Sequence, residues 1–151
     1  MKYKQKYIPE VNTPEEWKKL NKLDLRKTAL AIAKNMAGHE VVNEDTKLKI
    51  HFSVTNARKT TIGSAMYLKK ATALLIMPEI IRVAEYSNFG ERKETDNAEV
   101  IGFLNFKAKC KINGITEYLR IAVQFCRNDK FFYNIEVNKI ELLPKKSRRL
   151  L

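Results

Sequence analysis

At 151 residues the chain is the size of one domain with a real core, and 44% hydrophobic residues with few Gly and Pro argue against disorder throughout. Its 29 Lys and Arg outnumber 17 Asp and Glu, for a formal net charge of +12, which favours a polyanionic partner, nucleic acid ahead of a membrane surface. No run approaches the ~20 apolar residues of a membrane span, and Met1-Lys2-Tyr3-Lys4 lacks the apolar core of a secretory signal. Cys110 and Cys126 show no zinc-type spacing and read as reduced packing residues of a cytoplasmic protein. Neither a metal nor a cofactor is expected.

Lys2, Lys4 and Lys6 interleave with Tyr3 and Tyr7 over a basic arm at 1–12, which reads either as a strand-binding segment or as a frayed terminus. Thr13-Pro14-Glu15-Glu16 carries the signature of a helix start, with Thr13 as cap and Glu16 completing a capping box. Asp24 is the expected cap of a second helix, along which Leu25, Ala29, Ile32, Ala33 and Met36 recur near helical spacing until Gly38 stops it. After the polar turn Asn43-Glu44-Asp45, strict alternation of Leu48, Ile50, Phe52 and Val54 with Lys49, His51 and Ser53 predicts a strand over 47–54 with one buried face.

A polar loop over 55–61 carries Arg58 and Lys59. Ser64 is placed to cap a helical region over 65–86 that Pro78 divides into segments at 65–76 and 78–86. Residues 87–97 read as a polar, charge-mixed loop.

The stretch 99–142 reads as a three-stranded meander over 99–112, 115–126 and 131–142. Asn113-Gly114 between two alternating runs is the signal of a two-residue type I′ hairpin. Pairing Ile112 with Ile115 puts Leu104, Phe106, Ala108 and Cys110 on one face with Glu117, Leu119, Ile121 and Val123. The other face collects Lys107, Lys109 and Lys111 with Tyr118 and Arg120. At the second turn a two-residue loop would put Asn134 and Glu136 on the apolar face. A three-residue loop through Arg127-Asn128-Asp129 puts Tyr133, Ile135 and Val137 there instead, and creates a row Lys107–Arg120–Glu136. The expected architecture is thus α+β: N-terminal helices, then a strand, a kinked helix and the meander, forming a four-stranded antiparallel sheet with helices on its apolar face. A basic tail containing Lys145, Lys146, Arg148 and Arg149 closes a single domain, 1–151.

This order resembles the barnase–EndoU–colicin–RelE-like nuclease superfamily, in particular its phage and mobile-element branch associated with polyvalent proteins. The residues that carry the resemblance are Val42-Asn43-Glu44-Asp45-Thr46, Ile50-His51-Phe52-Ser53, Asn56-Ala57-Arg58-Lys59-Thr60, Leu75-Ile76-Met77-Pro78-Glu79, Tyr118-Leu119-Arg120-Ile121 and Phe132-Tyr133-Asn134. The resemblance implies a metal-independent ribonuclease of toxin or phage-effector type, in which a ribose 2′-hydroxyl attacks the adjacent phosphate. It also implies a cognate inhibitor or a larger phage or mobile-element protein as partner.

Such a reaction needs a base, an acid and cations for the developing phosphorane charge. The catalytic candidates are Arg58, Lys59 and Arg120 on the phosphate, His51 beside the Arg58–Lys59 loop, and Glu136 as base. Lys107, Lys109, Lys111, Lys145, Lys146, Arg148 and Arg149 are the nucleic-acid-binding candidates. The plain alternative for Lys107–Arg120–Glu136 is a cross-strand ion-pair row. Two further functions stay open: a nucleic-acid-binding domain of the same fold without cleavage, and a basic protein-interaction module. Finding Ile121 exposed and Arg120 buried would reverse the assignment of the faces.

Overall fold

The computed structural model describes residues 2–52, 68–92, 99–127 and 133–143, with backbone alone over 133–139. Its strands are β1 (Glu10–Val11), β2 (Glu40–Val42), β3 (Lys49–His51), β4 (Glu85–Glu91), β5 (Val100–Ile112), β6 (Ile115–Arg127) and β7 (Tyr133–Leu142). The helices are α1 (Lys22–Met36), α2 (Leu68–Leu74) and α3 (Met77–Val83), preceded by a short 3₁₀ turn at Glu15–Lys19. All the strands join one sheet in the order β1-β5-β6-β7-β3-β2, with β4 also paired to β5. The fold is α+β, as expected, with a larger sheet.

Asn113 and Gly114 take φ values of 53° and 80°, which a type I′ turn requires. Through that turn β5 and β6 pair as expected, Ile112 opposite Ile115, Lys107 opposite Arg120 and Leu104 opposite Val123. Ile121 is 1% exposed and Arg120 is exposed, so the faces stand as the alternation assigns them. Phe106, Leu119, Ile121 and Val123 pack with Leu25 and Ala29 of α1, Leu74 of α2 and Ile80 and Ile81 of α3 in one core. Pro78 sits in the first turn of α3, and a turn at Leu75 and Ile76 separates the two helices, as a proline without an N–H dictates.

Several local expectations are corrected. Asn21, not Asp24, caps α1: its side chain accepts from the Asp24 N–H at 2.8 Å. Thr13 caps nothing; its hydroxyl is spent in a buried contact with the Thr72 hydroxyl, 2.9 Å away, and the Glu15 segment makes only a 3₁₀ turn. Ser64 lies outside the described residues. Residues 85–91, expected as helix end and loop, form edge strand β4, which apolar alternation could not reveal because most of its side chains are exposed.

The sheet is not wholly antiparallel, for β3 runs parallel to β7. The second turn is also longer than expected: Arg127 pairs with Tyr133, so the connection spans 128–132. The register then steps, Val123 opposite Val137 but Ala122 opposite Lys139, leaving Asn138 as the extra residue of a bulge. That step brings Ile140 opposite Ile121 and buries it. Strict alternation from Val137 would have sent Ile140 and Leu142 to the polar face. The longer connection sets Glu136 opposite Gln124, and the step then puts Glu141 opposite Arg120. The row is therefore Lys107–Arg120–Glu141, not Lys107–Arg120–Glu136.

The Asn43 turn fixes where β4 begins. Asn43 is fully buried; its amide donates to the carbonyls of Ile81 and Ala84 at 2.8 and 3.0 Å and accepts from the Thr46 N–H. These carbonyls lie at the end of α3, where the Ile81 oxygen keeps one bond from the Ala84 N–H at 3.3 Å and the Asn43 amide supplies a second. Asp45 accepts from the Tyr86 N–H at 2.7 Å, and Glu44 pairs with Arg82. Farther along, a Cβ on Gly102 would meet the Phe89 ring and lie 2.6 Å from the Gly90 carbonyl oxygen. Gly102→Ala should therefore destabilise the protein by about 1–3 kcal/mol, measured by denaturant unfolding; an unchanged midpoint would mean that β4 yields freely.

Cys110 and Cys126 form no disulfide. Burial, and then the neighbouring Glu117, pushes the Cys110 thiol up to about 12. Since the folded value lies above the ordinary one, the stability linked to this thiol is complete below pH ~9 and declines as pH rises from there toward 12. Alkylation at pH 8 should label half-buried Cys126 in the folded protein and reach Cys110 only on unfolding; equal labelling rates would contradict the burial.

Candidate functional site

The polar face of the sheet owes its shape to a shared edge. β6 takes one edge of β5 whole, whereas the other is divided: β4 covers 102–107 and β1 covers 111–112. Between them the side chain of Gln5 completes the edge. The Lys109 N–H donates to Gln5 Oε1 at 2.8 Å, and Gln5 Nε2 donates to the Lys109 carbonyl at 2.7 Å. A primary amide here takes the place of one peptide group of a strand. The Gln5 N–H donates to Glu85 Oε1 at 2.7 Å, and the Lys111 N–H to the Pro9 carbonyl at 2.8 Å. Tyr3 donates to the Val83 carbonyl at 2.9 Å; burial first, and then Glu44, holds its phenol above the usual range, so it remains a donor. The arm expected at 1–12 is thus a docked segment over its described residues.

Between this arm and the polar face lies a cavity of about 390 Å³, lined by Lys2, Lys4, Lys107 and Lys109 with the single carboxylate Glu85 and the ring of Tyr118. Lys107 Nζ is 3.7 Å from Glu85 Oε2. The Lys109 ammonium rides 5.7 Å from the centroid of the Tyr118 ring, its direct partner across β5 and β6. Lys111, beyond the cavity, pairs with Glu10 at 3.5 Å. Exposed Arg120 stands opposite Lys107 and makes no ion pair within 4.0 Å among the described residues. Glu85, Lys107, Arg120 and Glu141 form one row across β4, β5, β6 and β7.

The other candidates lie elsewhere. His51 has Glu40 opposite it on one side and Glu136 on the other, and its Nδ1 is 3.6 Å from Glu40 Oε2. Glu136 is level with Gln124, four positions along β6 from Arg120, and β7 separates β3 from β6. That offset is roughly 13 Å along the strands and roughly 10 Å across them. His51 and Glu136 are thus brought together, and Arg120 stands apart from both. Arg58, Lys59, Lys145, Lys146, Arg148 and Arg149 lie outside the described residues.

Sequence reasoning placed Lys107, Lys109 and Tyr118 on one face but missed the contributions of Gln5 and Glu85. The helical region expected over 65–86 takes in Glu85, and nothing in the pattern around Gln5 marks an amide that completes a sheet edge. Among the described residues no group of three or more His, Cys, Asp or Glu could hold a metal ion, and no helix is long and apolar enough to cross a membrane.

The profile of the family described as large polyvalent protein-associated domain 3 matches residues 21–133. No curated protein and no solved structure matches the chain. The matched region takes in Glu85, Lys107, Lys109, Tyr118 and Arg120, and leaves the arm outside. If Gln5 holds the arm to β5, Gln5→Ala should cost about 1 kcal/mol and speed amide hydrogen exchange at Lys109; unchanged exchange there would show that the arm is held by other contacts.

Proposed function

The chain belongs to the large polyvalent protein-associated domain 3 family, of phage and mobile-element polyvalent proteins, and we propose that it is a nucleic-acid-binding module, with RNA as the favoured ligand. The observation that carries this reading is the convergence of lysines from two separate elements, Lys2 and Lys4 from the arm and Lys107 and Lys109 from β5, on one cavity. Cations scattered over a surface attract a polyanion diffusely. Four of them around a single carboxylate, with Arg120 beside them, offer phosphates fixed positions. The overall charge of +12 adds long-range attraction. The module would work in the cytoplasm as part of a larger phage or mobile-element assembly.

Metal-independent RNA cleavage is the second reading. It is favoured by Glu85, a carboxylate held in place by the Gln5 N–H and set among lysines, which is the pairing of a base with phosphate-binding cations that 2′-hydroxyl attack needs. His51 and Glu136 do not serve this site.

Affinity for RNA should fall roughly 10²-fold or more between 50 and 200 mM salt if about five cations neutralise phosphates. A flat salt response, or no binding at low salt, would remove nucleic acid as the partner. Incubation with labelled RNA and DNA in EDTA separates the two readings. If RNA is cut, Arg120→Ala should slow cutting by about 10²-fold while weakening binding by about tenfold or less. Intact RNA in both proteins leaves a binder.

A further inference from the structure

We propose that the cavity under the arm is a subsite for one unpaired nucleotide of a single strand, with its base stacked on Tyr118 and its phosphates among Lys2, Lys4 and Lys107. The inference rests on the nucleic-acid reading and adds the form of the ligand. At about 390 Å³ the space falls in the range of sites that enclose a small molecule. The bases of a duplex are stacked inward, so a duplex could touch the lysines at the rim but could not fill the space between arm and sheet.

The lining suits a splayed nucleotide in both of its parts. Sheet surfaces that take single strands stack bases on aromatic rings and hold the backbone with cations. Tyr118 is half-buried, so its place on the sheet is set, and the ammonium of Lys109 already lies against it. An exposed cation–π contact is weaker than stacking of a base on the same ring. The base therefore takes the ring, and Lys109 swings to a phosphate. Lys2 and Lys4 close over the opposite side because Gln5, the next residue in the chain, is tied to the backbone of Lys109. Glu85 is oriented by the Gln5 N–H and by Lys107, which sets one fixed acceptor among the lysines of the lining.

The experiment compares three ligands with the same number of phosphates at low salt by fluorescence anisotropy: a single-stranded RNA, an RNA duplex of half its length, and a base-free ribose-phosphate strand. The RNA strand should bind about tenfold more tightly than either of the others. Tyr118→Ala should erase that preference, and Tyr118→Phe, which keeps the ring, should retain it; circular dichroism of each variant reports folding. Paired Lys2→Ala and Lys4→Ala changes should weaken the intact and base-free strands alike. If the intact and base-free strands bind equally, or if Tyr118→Phe loses the preference as fully as Tyr118→Ala, the nucleotide subsite is wrong while the module still binds nucleic acid. If none of the three ligands binds the wild-type protein, the nucleic-acid reading fails and the subsite fails with it.

Discussion

The pairing of β5 with β6 is the constraint on which everything else hangs. Two strands of 13 residues each leave the Asn113–Gly114 turn in a single register, and a period of two then decides every side chain at once. Phe106, Ala108, Cys110, Leu119, Ile121 and Val123 are thereby committed to a face that only helices can cover, and α1, α2 and α3 supply the cover. Lys107, Lys109, Tyr118 and Arg120 are committed to the opposite face by the same register, before any ligand is considered.

What the hairpin does not decide is who occupies the second edge of β5. Long unpaired edges invite pairing with other chains, and here three short pieces share the work: β4, the Gln5 amide and β1. Because the middle piece is a side chain and not a strand, the backbone of the arm stands off from the sheet at that point. The cavity is the space left by that substitution. Its cations cannot all be neutralised from within, since Glu85 is the one carboxylate in the lining and already serves Lys107. Exposed like charges of this kind are tolerable in water, where they interact weakly, and a polyanion would relieve the repulsion that remains.

The sequence made the hairpin legible because three independent signals agreed there: the turn dipeptide, the alternation and the length. The break at Pro78 and the stop at Gly38 were legible for similarly local reasons. Where a single signal had to suffice, the reading failed. β4 has mostly exposed side chains and so no apolar rhythm, and β1 and β2 are two and three residues long. The bulge at Asn138 cannot be foreseen from alternation, because it exists to restore an alternation that the chain itself breaks between Val137 and Ile140. That one residue also brings Glu141 level with Arg120, while the longer connection before it carries Glu136 away to Gln124, so the misplaced row follows directly from the two register differences.

Of the four lysines at the cavity, two come from the sheet and two from the arm, and these differ in what fixes them. Lys107 and Lys109 are placed by the hairpin, so no local change short of unfolding moves their backbone far. Lys2 and Lys4 are placed by a few hydrogen bonds of Tyr3 and Gln5, each worth about 1 kcal/mol against water, which local opening of an arm can overcome. The region matched by the family profile contains the first pair and not the second. A strand of RNA lying on the rigid pair would therefore meet an arm that can lift and close over it, and the Gln5 amide, bonded to the same residue that carries one of the cations, would set where it closes.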